Sequence, residues 1–235
     1  MEKMRLILLA GQSNMAGRGI PEAEDRQVIP GIFAMDPAMK WVPAVEPITF
    51  DRPGIAGVSG GRSFARRLLA LPPGSPVGII PAAVGGTPIS AWMPGGKDPE
   101  SEKHPYDDAL KMAAAARRDG EIVAILWHQG ETDAAERNDR YAEDFTRVVE
   151  NFRRDLALPE IPFICGELGR FLCGEWHYPP VEAAIRQVAE SLPRMGCASS
   201  EGLTDKGDKL HFDTASQHRF GERFFAEYLR LTSGK

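Results

Sequence analysis

Short runs rich in Ile, Leu and Val recur along this chain, separated by longer stretches whose apolar residues follow helical spacing. That alternation leaves few folds open. Strands apolar throughout their length are buried on both faces, and the segments between them must supply the covering helices, so the pattern reads as an α/β protein built on a parallel sheet. The expected strands are Arg5 to Ala10, Gly31 to Met35, Val77 to Ala82, Ile122 to His128 and Ile161 to Glu167. Buried helix faces are marked by Phe64 with Leu68, by Tyr141, Phe145, Val148, Phe152 and Leu156, by Val181, Ile185, Val188 and Leu192, and by Phe220, Phe224 and Tyr228. The Pro179-Pro180 pair suits a helix's first turn, where proline has no amide hydrogen to lose.

Between Asp36 and Gly61 the periodicity lapses. Four prolines (37, 43, 47 and 53) and four glycines read as a long surface loop of the kind that shapes binding sites. No composition break divides the 235 residues, so one domain spanning 1–235 is expected. The 43% hydrophobic and 26% charged content excludes disorder. A net charge of −5, with no stretch of unrelieved Lys and Arg, leaves no face for nucleic acid or an anionic membrane. The expected partner is a small-molecule or oligosaccharide substrate, and nothing in the sequence sets an oligomeric state.

The start of the chain carries no secretory h-region, so a cytoplasmic protein is expected, or a secreted one if a signal was removed. Cys165, Cys173 and Cys197 are odd in number and not spaced as metal ligands, which favours buried, reduced thiols.

Chemistry-bearing residues gather where strands should end. The first strand runs into Gly11-Gln12-Ser13-Asn14-Met15, placing Ser13 at the carboxyl edge of the sheet, where open parallel sheets bind ligands. Met15 stands where the G-x-S-x-G elbow needs glycine, and neither a P-loop lysine nor G-x-G-x-x-G is present. Taken alone, Ser13 reads equally as a nucleophile or a turn residue. Asp208 precedes His211 by three residues, close enough to reach its Nδ1–H within one turn and aim Nε2 at a serine. After the third strand comes Gly85-Gly86-Thr87, and after the fourth His128-Gln129-Gly130-Glu131-Thr132-Asp133. Amides of Gly85 or Gly86 and the Gln129 carboxamide are candidate oxyanion donors. His128, Glu131 and Asp133 match no metal-site spacing, so neither a metal nor a cofactor is expected.

These blocks, in this order, resemble the SGNH hydrolases, in particular the sialate O-acetylesterase-like branch that includes carbohydrate esterase family six, with its acetylxylan esterases. G-Q-S-N-M is Gly11 to Met15, G-G-T is Gly85 to Thr87, H-Q-G-E-x-D is His128 to Asp133, and D-x-x-H-F is Asp208 to Phe212. The resemblance covers nearly the whole chain. It implies a flavodoxin-like three-layer α/β/α sandwich around an approximately five-stranded parallel sheet, and a serine esterase removing O-acetyl groups from carbohydrate.

In that reading Ser13 is the nucleophile, His211 the base and Asp208 its acid, with Glu131 as alternative acid. The oxyanion sits among the Ser13 amide, Gly85 or Gly86, and Gln129. Of Trp92, Trp127 and Trp176, Trp92 is the expected sugar-stacking surface because it closely follows the G-G-T loop. Two other classes stay open at this point: an esterase or thioesterase on small non-sugar acyl esters, and a non-catalytic carbohydrate-binding protein.

Overall fold

The computed structural model describes residues 3–233. All five expected strands are present, as β1 (Met4–Gly11), β2 (Ile32–Met35), β4 (Val77–Pro81), β5 (Gly120–His128) and β6 (Phe163–Gly166). Two more were not expected: β3 (Trp41–Pro43) and β7 (Met195–Ala198). They are the two edges of one seven-stranded sheet ordered β3-β2-β4-β1-β5-β6-β7. Every pairing is parallel except β3 against β2. The long loop therefore contains a short return strand. Pro43 ends it at the sheet edge, where a missing backbone N–H costs nothing.

Within β1 the side chains alternate between two cores. Leu6, Leu8 and Ala10 pack on one face with α3 (Pro105–Ala116), α5 (Tyr141–Asp155) and α6 (Pro179–Ser191). Ile7 and Leu9 pack on the other with α2 (Gly60–Leu69) and α7 (Thr214–Thr232). All five are fully buried, and the result is a three-layer α/β/α sandwich. Helices α2 and α7 approach through glycine: a Cβ on Gly221 would lie 2.2 Å from the Gly60 carbonyl oxygen. The prolines at 179 and 180 do occupy the first turn of α6.

The topology matters for function. From β1 the chain builds β2 to β4 on one side and then β5 to β7 on the other, so β1 stands at the point where strand order reverses. The turns leaving β1, β4 and β5 meet at that edge, joined by Gln12 N–H to the His128 carbonyl and Val84 N–H to the Gly11 carbonyl, at the place where sheets of this kind hold ligands. Among the described residues no helix is long and apolar enough to cross a membrane. Of the three thiols, Cys165 is buried, Cys197 half-buried and Cys173 exposed, so the expectation of buried cysteines fails at Cys173.

Candidate active site

Strand β1 ends at Gly11, whose φ of +122° puts it where side chains are disfavoured, and where a Cβ would lie 2.2 Å from the His128 carbonyl oxygen. That close approach turns the chain into the single-turn α1 (Ser13–Ala16) beside the end of β5. The Gln12 amide donates to the His128 carbonyl at 2.8 Å. Its side-chain oxygen accepts from the amides of Gly130 and Thr132 at 3.2 and 3.4 Å. The serine turn and the β5 turn are thus tied together before any catalytic side chain is considered.

His211 arrives from the loop between β7 and α7. Asp208 organises this loop locally: Oδ1 accepts from the amides of Leu210 and His211 at 3.0 and 2.8 Å, and Oδ2 accepts from His211 Nδ1 at 2.7 Å. Burial alone would raise the Asp208 pKa, but hydrogen bonds from the His211 amide, its ring and the Leu210 amide outweigh it and lower the value to about 2. An ionised carboxylate can only accept, so Nδ1 carries the ring proton and Nε2 of the neutral ring is the acceptor. Nε2 lies 3.0 Å from Ser13 Oγ, across 198 positions of sequence. Serine, imidazole and carboxylate form one hydrogen-bonded line.

The two glycines are not equivalent. The Gly85 amide donates to Asp51 Oδ2 at 2.8 Å. Asp51 is itself locked to Arg18 at 2.6 Å, with both side chains 1% exposed. Gly86, at φ +81°, has its carbonyl capped by the Thr132 hydroxyl at 3.1 Å, and its amide has no acceptor among the described residues. The Ser13 amide, first in α1, likewise has none among the described residues.

Three sequence expectations are corrected here. Gln129 is fully buried, and its amide donates to the Thr87 carbonyl at 3.1 Å and to Asp133 Oδ2 at 2.5 Å. Its carbonyl oxygen accepts from the Tyr141 hydroxyl at 2.9 Å. No hydrogen remains for an oxyanion, and the side chain braces the turn instead. Glu131, also fully buried, accepts from Asn14 Nδ2 at 2.5 Å and lies 3.4 Å from His128 Nδ1. Because the His211 ring proton goes to Asp208, Glu131 is not the histidine's acid. Trp92 has no exposed surface; Nε1 donates to Thr87 Oγ1 at 2.9 Å and the ring packs edge-on against Trp127 at 5.2 Å. It offers no face to a sugar.

Trp127 is core as expected, and Trp176 is half-buried. Asp133 turns away from Glu131 toward Gln129, Asn138 and the Ile89 amide, and burial is the first cause of its raised pKa. His128 turns its Nε2 to the Glu167 carbonyl at 3.0 Å, so this trio does not converge on one point. Sequence reasoning missed Asp51 and Arg18. An acid inside the Pro/Gly-rich loop and an arginine just after the serine block were the available signal, but the 33-residue gap between them gave it no pattern.

Comparison with known proteins agrees with this architecture. Residues 3–230 match the model of the family described as carbohydrate esterase, sialic acid-specific acetylesterase. The chain is 31% identical over 246 residues to "Probable carbohydrate esterase At4g34215" of Arabidopsis thaliana, covering 96% of this chain and 90% of the relative. The X-ray structure of the Arabidopsis protein AT4G34215 superposes with a TM-score of 0.84 at 28% identity, over 97% of this chain and 98% of that one. The crystal structure of NanS shares the fold, with a TM-score of 0.77 at 19% identity over 100% and 99% of the two chains. The chain belongs to the sialic acid-specific acetylesterase family of carbohydrate esterases, and is a carboxylic ester hydrolase.

Proposed function

We propose that this esterase removes O-acetyl groups from a sugar through an acetyl-serine intermediate. The observation that carries the reading is the 3.0 Å contact between His211 Nε2 and Ser13 Oγ, with Asp208 behind the ring. His211 takes the hydroxyl proton as Ser13 Oγ forms a bond to the acetyl carbonyl carbon. The imidazolium then returns that proton to the sugar oxygen as the C–O bond breaks. Water, deprotonated by the same nitrogen, attacks the acetyl-serine, and acetate is released as the imidazolium gives its proton to the departing Ser13 Oγ. Asp208 holds the tautomer and offsets the charge on the ring.

The developing oxyanion is assigned to the amides of Ser13 and Gly86, neither of which has an acceptor among the described residues, while the Gly85 amide is engaged by Asp51. Membership of a family described as carbohydrate esterase, sialic acid-specific acetylesterase, and similarity to a relative described as a probable carbohydrate esterase support a sugar as the alcohol half of the ester.

The test is acetate release from O-acetylated sialic acid, acetylated xylo-oligosaccharides and an acyl-CoA thioester, with Ser13→Ala as control. Turnover of an acetylated sugar above the thioester, falling by several orders of magnitude in Ser13→Ala, is the expected result. Preference for the thioester would overturn the sugar assignment, and an unimpaired Ser13→Ala enzyme would overturn the mechanism.

A further inference from the structure

The catalytic histidine sits in a loop held mainly to itself. The His211 amide goes to Asp208, its carbonyl accepts from the Lys206 amide at 2.9 Å, and Asp205 caps the amides of Gly207 and Lys209. These bonds shape the loop without placing it against the serine.

Asn14, the residue after the nucleophile, does so. Its Oδ1 accepts from the Phe212 amide at 3.1 Å, and its Nδ2 donates to the Leu210 carbonyl at 3.0 Å. One carboxamide therefore grips the peptide groups on both sides of His211. The second Nδ2 hydrogen goes to Glu131 Oε1 at 2.5 Å, which fixes the amide's orientation: only its nitrogen can face a carboxylate and a carbonyl. Gln217 of α7 donates to the Asn14 carbonyl at 3.0 Å. Asn14 is 3% exposed, Gln217 1% and Glu131 0%, so water does not compete for these bonds.

We propose that Asn14, oriented by the buried Glu131, is a positioning residue that sets the reach between His211 Nε2 and Ser13 Oγ. The inference rests on the serine–histidine reading above. It also accounts for Glu131, which acts on the histidine through Asn14 and not as the imidazole's acid. A displacement near 1 Å between reacting groups costs about 10²-fold in rate, which is the scale on which this clamp matters.

The test is a double-mutant cycle. Asn14→Ala should lower kcat about 10- to 100-fold with KM within about threefold, whereas in a His211→Ala background the same change should alter kcat/KM less than about twofold. Residual activity without the histidine is expected to remain measurable. Equal losses in both backgrounds would overturn the proposal, because a merely structural role does not depend on the histidine. Wild-type activity in His211→Ala itself would overturn the triad and the proposal with it, which separates the two failures.

If Asn14→Ala does not fold, the paired change Asn14→Asp with Glu131→Gln keeps their mutual bond with donor and acceptor exchanged, keeps the Phe212 contact, and turns an acceptor oxygen instead of a donor toward the Leu210 carbonyl. A fall in kcat of roughly tenfold is expected from the lost placement, and an unchanged kcat would overturn the clamp.

Discussion

The Asp208 carboxylate works from an exposed turn, and three hydrogen bonds it accepts keep it ionised against partial burial. Its folded pKa of about 2 lies below the ordinary 3.8. A depressed carboxylate stabilises the fold above its unfolded value, and that contribution is lost as pH falls from about 4 toward 2. Loss of activity on acidification to pH 5 is therefore not titration of Asp208. In Asp208→Asn the backbone bonds to Oδ1 survive, but an amide group faces Nδ1 and favours the wrong tautomer. A fall in kcat of about 10³–10⁴ is expected, with a melting temperature at pH 7 lowered by a few degrees as the carboxylate's contribution is lost. Trp92 gives the opposite contrast. Trp92→Ala should cost about 3–5 kcal/mol in urea unfolding and leave KM unchanged for the folded fraction, because the ring touches Trp127 and Phe152 and not the solvent. Had it stacked on a sugar, KM would rise with little loss of stability. Its nearness in sequence to the G-G-T loop was a fair signal of place but carried no information about which way the ring points.

At the scale of elements, the site is three strand-end turns cross-linked by buried polar side chains. The Arg18–Asp51 pair joins the serine turn to the G-G-T loop and withdraws the Gly85 amide from the reaction. Asp51→Ala leaves a guanidinium buried without its partner and should cost about 3–5 kcal/mol by chemical denaturation. Removing the solvent-exposed Arg52–Glu100 pair nearby should cost under about 1 kcal/mol. Equal costs would contradict this account of what holds the loop. The five expected strands were legible as apolar runs, even β2 and β6 with only four paired residues each, and the four helix faces because each spans enough residues to show a period. Strands β3 and β7, three and four residues long, are not: Trp-Val-Pro and Met-Gly-Cys-Ala contain no repeat, and both form only because a sheet edge is there to pair with. Ser13, Asp208 and His211 were legible through short motifs, whereas Gln129 misled because its amide's direction is set by Asp133 and Thr87, which pattern alone does not place.

For the molecule as a whole, the strand order brings two chain regions 198 residues apart to one rim of the sheet, and stability elsewhere follows its own pH dependence. Glu46, fully buried, has its pKa pushed up to about 8 first by desolvation, against the amides of Ile48 and Ser59 and the charge of Arg62. Between about 4.5 and 8 the folded protein keeps a proton that the unfolded chain releases, so this group lowers stability as pH rises, by at most about 1.4 kcal/mol per pH unit. Unfolding free energies measured at pH 5 and pH 8.5 should fall more steeply for the wild type than for Glu46→Gln, and parallel profiles would contradict the assignment.

Covalent labelling reports on Ser13 as the nucleophile without reference to any particular substrate. After reaction with a fluorophosphonate ester, peptide mass spectrometry should find one equivalent of adduct on Ser13, formed orders of magnitude more slowly in His211→Ala. An actively hydrolysing protein that carries the label at another residue, or that still labels fully as Ser13→Ala, would contradict it.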